Sequence, residues 1–290
     1  MILALAAALT LAAQNPRDPM LVSTEWLSQH QRDANLVLLQ IGPRASYDSA
    51  HIAGAQLIAF SDIAQRDSTK PALELPPVAW LDSVLESKGI SDNSRIVIYQ
   101  SDEWFTPATR VYYTLYWAGL GARTSILDGG LAEWRRHRGP VTREAPTVRP
   151  GSLTLHPRND AVVTSEFVLS KLSDPRVAIV DARNEQFYLG NYYGPQADPR
   201  PGHIPGAFNI PFPSMVTDSG MMKSPEELRN LFLAAHAEPG DTVISYCHIG
   251  QQGTLVWFGA KLAGYEARLY DNSFTVWSRL AAAQYPVERP

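Results

Sequence analysis

The chain has 290 residues, a formal charge of −4, 45 % hydrophobic residues and one cysteine. A single cysteine excludes an internal disulfide framework and any multi-cysteine zinc site. With no basic excess or long basic run, no nucleic-acid or other polyanionic partner is expected. This length lies near the point at which one hydrophobic core divides into two, so two domains are expected.

The first element is an apolar run from Ile2 to Ala13, rich in Leu and Ala, followed by the polar stretch Gln14–Pro19. It is too short to span a bilayer. Its length suits the apolar region of a secretory signal, and Ala12 and Ala13 suit a cleavage site, although no Lys or Arg precedes the run. Residues 1–20 are therefore read as a leader outside the fold. The expectation is an exported, periplasmic protein with no stable membrane insertion; if the leader does not act, the protein is cytoplasmic.

From residue 21 onward, apolar runs alternate with helical patterns. Leu36–Ile41 and Ile96–Tyr99 read as strands, and Val78–Ser87 as a helix. The stretch Gly139–Pro157 holds four prolines and little apolar periodicity, so it reads as a linker with a boundary near residue 147. Two domains follow, 21–147 and 148–290. In the second, Val177–Val180 and Thr242–Tyr246 read as strands. Ser224-Pro225-Glu226-Glu227 places a cap, a first-turn proline and a third-position glutamate ahead of Leu228, Leu231 and Phe232. Alternation of this kind predicts the α/β class, with parallel sheets covered by helices on both faces.

The two halves also repeat each other in order. Val22-Ser23-Thr24-Glu25-Trp26 matches Val163-Thr164-Ser165-Glu166-Phe167, and His51-Ile52-Ala53-Gly54-Ala55 matches His203-Ile204-Pro205-Gly206-Ala207. Tyr99 then matches Tyr246, and Asp128 and Trp134 match Asp271 and Trp277. Two copies make a duplicated domain rather than a solenoid.

The only cysteine lies in Val243-Ile244-Ser245-Tyr246-Cys247-His248-Ile249-Gly250-Gln251-Gln252-Gly253-Thr254. Leu255, Phe258 and Leu262 continue from it at helical spacing, and Gly264 sits where a left-handed residue would end that helix. Cys247 is thus predicted at a strand-loop-helix junction, beyond the carboxyl end of a parallel strand, where such sheets bind ligands. A thiolate is the reactive form, and a free thiol with a pKa of about 8.5 is mostly protonated at neutral pH. Gly250 and Gly253 allow successive amides to curl toward one point, at which the following helix also aims its positive end. Such a cradle suits a thiolate or a persulfide anion.

These residues resemble the tandem-domain rhodanese sulfurtransferases, a group that includes thiosulfate and 3-mercaptopyruvate sulfurtransferases. The likeness rests on Val180-Asp181-Ala182-Arg183, Arg200-Pro201-Gly202-His203-Ile204-Pro205-Gly206-Ala207, the Cys247 loop and Asp128-Gly129-Gly130-Leu131-Ala132-Glu133-Trp134, and spans about residues 21–285. It implies two duplicated rhodanese-like domains, the first inactive, the second catalytic, with a cleft between them. Gln100 stands at the cysteine position of the first half, and its loop carries Asp102, Glu103 and Pro107 where an anion cradle would need bare amides.

The implied chemistry is attack by Cys247 on the outer sulfur of a small anionic donor, a persulfide, and transfer to a thiophilic acceptor such as cyanide or a thiol. No metal or organic cofactor is expected, and the protein is read as a monomer. Arg183 is the expected clamp for the donor's oxyanion, with Arg200 a second candidate and Asp181 structural. His248, Ile249, Gly250, Gln251, Gln252 and Gly253 complete the expected substrate-binding set. His248-Ile249 departs from both subgroups: thiosulfate enzymes usually carry a cation after the cysteine, mercaptopyruvate enzymes Gly-Ser or Gly-Thr. A histidine there supplies part of a positive charge, and with no adjacent hydroxyl the expected donor is thiosulfate. His51 and His203, present in both copies, are read as architectural. A cysteine phosphatase of related fold would need an arginine where this loop has Gly253, so phosphoryl transfer is disfavoured. The remaining alternative is a non-catalytic module that carries sulfane sulfur.

Overall fold

The computed structural model describes residues 20–64, 73–101, 104–192, 194 and 198–289. Residues 1–19 and the Asp102–Glu103 pair lie outside the described residues, whereas Met20, read as the end of the leader, packs on the core and accepts the Ile126 amide at 2.9 Å. Among the described residues, five parallel strands form a first sheet in the order Leu21–Val22, Thr124–Leu127, Arg95–Gln100, Leu36–Ile41, Gln56–Ile58. Four parallel strands form a second sheet in the order Glu266–Leu269, Thr242–Tyr246, Val177–Asp181, Phe208–Asn209. The orders correspond, and where the first sheet has Leu21–Val22 the second has a single parallel bridge from Val162 to Leu269. The α/β class and the duplication are both present.

The strands are apolar on both faces because both faces are covered. In the first half Val22, Leu38, Val97, Tyr99, Leu127 and Trp134 form one face's cluster. In the second Val163, Ile179, Ile244, Tyr246, Tyr270 and Trp277 do the same. The opposite faces merge into one apolar cluster that runs through both halves. The join is made by the helices Thr106–Trp117 and Gln252–Leu262. Tyr113 and Tyr116 meet the Trp257 ring edge-on at 5.0 and 4.8 Å, and Tyr112 meets Phe258 at 5.0 Å. Each such pair contributes about 0.5–1.5 kcal/mol beyond the area it buries. The halves therefore share a core.

Repeated residues make repeated contacts. The Tyr99 hydroxyl accepts the Ile52 amide at 3.0 Å and Tyr246 accepts that of Ile204 at 3.2 Å. His51 stacks on Tyr47 and His203 on Tyr188, both at 3.9 Å. Trp134 and Trp277 donate their indole N–H groups to Pro140 and Pro286 carbonyls. These groups hold turns.

The helix Pro225–Ala234 opens with the expected reciprocal cap between Ser224 and Glu227, and Val78–Ser87 forms as read. The proline-rich connection is fastened to the first half: Gly151 and Leu153 amides bind the Glu86 carbonyl and carboxylate, and Thr154 binds Asp92. Its lack of apolar periodicity reflects a segment held through its backbone.

Candidate active site

Cys247 follows directly on the strand Thr242–Tyr246, and the helix Gln252–Leu262 begins five residues later. The helix thus begins three residues before Leu255, the first residue of the helical spacing read from the sequence. The loop turns at Gly250, whose φ of 85° is left-handed. A side chain there would overlap the Asp271 carboxylate and crowd Arg110, so glycine is required twice over. At Gly253 a Cβ would press on Leu269 and the Tyr246 backbone at 3.1–3.4 Å, so this glycine permits close helix-strand packing.

The loop is clamped from its far side by the segment after the strand Glu266–Leu269. The Cys247 amide donates to the Ser273 hydroxyl at 3.1 Å, while the amides of Phe274 and Thr275 bind the carbonyls of Cys247 and His248 at 2.9 and 3.1 Å. Ser273 takes φ 57°, matching Gly130 at φ 56° in the first half. By contrast, the amides of His248, Ile249, Gly250, Gln251 and Gln252 donate to no acceptor among the described residues. They form a run of unengaged donors just after the cysteine, at a helix start.

Cys247 is only 1 % exposed, yet it lines a cavity of about 600 Å³. His248, Ile249, Gln251 and Gln252 line it with the cysteine, and Thr275 and Arg279 close one side. The facing wall comes from elsewhere: Trp104, Thr106 and Pro107 from the first half, Asp198 and Phe212 from the second. The cavity lies between the halves. Thr106, Thr109 and Arg110 share one face of their helix and all hold the cysteine segment. Thr106 accepts from the Gln251 amide group at 3.1 Å, Thr109 shares a 2.9 Å bond with Thr254, and Arg110 donates to the Gly250 carbonyl at 3.2 Å. The first half supplies support as well as a wall.

The two expected clamping arginines lie away from this cavity. Arg183 is completely buried. Its guanidinium binds both oxygens of Asp181, donates to Asp198 at 3.0 Å and to the Gly202 carbonyl at 2.6 Å, and stacks over Phe274. Burial by itself would lower its pKa, but the Asp181 and Asp198 carboxylates raise it above its usual value. Arg200 donates to the carbonyls of Ser278, Tyr285, Trp277 and Leu280 and ties down the C-terminal segment. Each guanidinium so engages four of its five N–H donors, and neither side chain lines the cavity.

His248 packs edge-on against Phe187 at 4.5 Å, with Nδ1 3.9 Å from Asp198. Burial and then the nearby Arg183 charge bring its pKa down to about 4, so the ring is neutral at pH 7. The expected partial cation is absent because burial and the neighbouring Arg183 charge both disfavour the protonated ring. Burial likewise raises the pKa of Asp198, against the pull of Arg183.

The structure thus brings Cys247, His248, Ile249, Gln251 and Gln252 together on one cavity, with Gly250 and Gly253 shaping the loop behind them. It places Arg183 and Arg200 elsewhere. Sequence reasoning missed Arg110, Asp198, Ser273 and Arg279. Only Ser273 carried a signal, since its partner in the repeat is a glycine. Gln100, at the corresponding point of the first half, is buried and offers no nucleophile.

The model of the rhodanese-like domain matches the chain twice, over residues 23–137 and 164–280. The chain is 30 % identical to the thiosulfate sulfurtransferase of Rattus norvegicus, covering 93 % of this chain and 95 % of that one. It is 30 % identical to the 3-mercaptopyruvate sulfurtransferase of Mus musculus, over 91 % and 94 %, and 31 % identical to the sulfur carrier protein TtuD of Thermus thermophilus, over 90 % and 94 %. Among solved structures, the 3-mercaptopyruvate sulfotransferase SseA of Escherichia coli superposes with a TM-score of 0.76 at 24 % identity, covering 88 % of this chain and 98 % of that one.

Proposed function

This chain belongs to the rhodanese-like family, and from that premise we propose that it is a sulfurtransferase in which Cys247 carries the transferred sulfur. The observation that carries the reading is one cysteine lining a cavity of about 600 Å³ beside five amides with no other acceptor among the described residues. Peptide dipoles so placed suit a negative charge on sulfur, whether thiolate or persulfide.

The preferred donor is thiosulfate. The Cys247 thiolate attacks the outer sulfur, the sulfur-sulfur bond of the donor breaks, and sulfite leaves with the bonding pair. In the second half-reaction a thiophile such as cyanide or a thiolate attacks the outer sulfur of the persulfide, and the cysteine thiolate leaves. Each step breaks one sulfur-sulfur bond and forms one new bond to the transferred sulfur, sulfur-sulfur on loading and carbon-sulfur or sulfur-sulfur on release to cyanide or a thiolate, and needs no net proton. Of the substrate-binding set, His248, Ile249, Gln251 and Gln252 face the ligand in this reading, and Gly250 and Gly253 shape the loop. Arg183 and Arg200 act through the residues they hold. The halves divide near residue 147.

A second reading, with 3-mercaptopyruvate as donor, draws on the hydroxyls of Thr106 and Thr275 in the cavity wall. There a carbon-sulfur bond breaks and the enolate of pyruvate must take a proton, which a hydroxyl-bearing wall can relay.

The test loads the purified protein with thiosulfate, or separately with 3-mercaptopyruvate, and measures the gain of one sulfur atom by intact-mass spectrometry before adding cyanide. Loading, release of thiocyanate, and loss of both in Cys247→Ser are expected. A protein that gains no sulfur from either donor is not a sulfurtransferase of this kind.

A further inference from the structure

An anionic donor entering this cavity needs a positive charge. The expected sources are engaged outside the cavity: Arg183 on Asp181, Asp198 and the Gly202 carbonyl, Arg200 on four carbonyls. His248 is neutral at pH 7 because it is buried. The wall also carries the carboxylate of Asp198, which by itself repels an anion.

Among the described residues lining the cavity, one further basic side chain remains. Arg279 lines the cavity that Cys247 lines, just beyond the helix Ser273–Trp277. Thr275, four residues earlier, lines it too, so this face of the segment points inward. Arg279 is solvent-exposed, and among the described residues its guanidinium makes no hydrogen bond or ion pair, while its charge acts at longer range on Asp198 across the cavity. Its five donors are available in the fork geometry that suits sulfonate and carboxylate oxygens.

Building on the sulfurtransferase reading, we infer that Arg279 holds the anionic end of the sulfur donor, so that the outer sulfur is presented to Cys247 from the mouth of the cavity. Arg279 is a donor-binding residue at a position the recognisable sequence motifs do not include. It does in the open what Arg183 cannot do from inside the protein.

Thiosulfate binding by the full chain carrying Cys247→Ser, in which no sulfur is transferred, tests this by isothermal titration calorimetry. Saturable binding is expected, and adding Arg279→Gln should weaken it by about tenfold or more, as for loss of a charge-assisted hydrogen bond. Arg279→Lys should recover part of that loss. Because the side chain is exposed, the thermal midpoint should not move. Equal affinities with and without Arg279, or no saturable binding by the Cys247→Ser protein, overturn the assignment. Failure of Cys247 to gain sulfur in the unaltered protein would instead sink the sulfurtransferase reading, which this binding measurement does not use.

Discussion

Arg110 of the first half and Asp271 of the second form an ion pair buried between the halves. The same guanidinium donates to the carbonyls of Leu73 and Gly250, so one charge from the half without a nucleophile braces the loop that carries Cys247. Asp271 in turn lies two residues before Ser273, whose hydroxyl accepts the Cys247 amide. The domain interface and the cysteine loop are one hydrogen-bonded unit.

Arg110→Ala should therefore cost about 3–5 kcal/mol of stability, the usual effect of leaving a buried carboxylate without its partner, and should lower turnover. Arg110→Met with Asp271→Leu should recover most of the stability without restoring turnover, because the Gly250 carbonyl remains unheld. Urea denaturation and steady-state kinetics on the single and double variants check both halves of this statement.

Gly250→Ala should abolish activity, since the added carbon collides with Asp271 at a left-handed φ of 85°. Gly264→Ala is the control. Its φ is 92° but nothing lies within 4 Å, so it should cost only the conformational penalty of about 1–2 kcal/mol and leave kcat unchanged. Equal kinetic effects in the two variants would show that the loop's shape is irrelevant.

Ser273 holds a non-glycine residue at φ 57° and gives Cys247 its backbone partner. Ser273→Ala keeps the strain and loses the bond, whereas Ser273→Gly loses the bond but relieves the strain. The glycine variant should be more stable than the alanine variant by about 1 kcal/mol, measured by thermal denaturation. Both should react more slowly with sulfur donors.

The buried His248 gives a pH dependence of defined sign. Its folded pKa of about 4 lies below its ordinary value of 6.5, so between these limits the unfolded chain binds the extra proton. Stability attributable to this group is full above pH 6.5 and falls as the pH drops toward 4, by up to about 3 kcal/mol. His248→Gln should flatten that part of the stability profile, measured as urea midpoints at pH 7 and pH 4.5. A profile unchanged by the substitution would mean that the ring is not desolvated.

Much of the architecture was legible in the chain. The alternation of apolar runs with helical patterns specified parallel sheets, and the paired His-Ile and Tyr residues specified the duplication, because a parallel strand must be apolar on both faces and a repeated turn needs the same hydrogen bonds. The Ser224–Glu227 cap and the Gly264 stop were equally local, each set by the needs of its own backbone. Cys247 at a strand end, followed by Gly250, was readable for the same reason.

Charge placement was not legible, since whether an arginine is spent or available depends on what distant segments bring to it. Nothing near Arg183 in sequence reveals that Asp198 and the Gly202 carbonyl will bind its guanidinium inside the protein. Arg200 looks identical to a free arginine until the C-terminal carbonyls close on it, and Arg279 gave no signal until the last helix placed it on the cavity that Cys247 lines. His248 seemed a half-charged group only while its solvation was unknown; Phe187 and Arg183 remove the water and add the repulsion that keep it neutral. Local backbone conformation is written in short stretches of residues, whereas the electrostatics of the cavity arise only when two halves of the chain fold against each other.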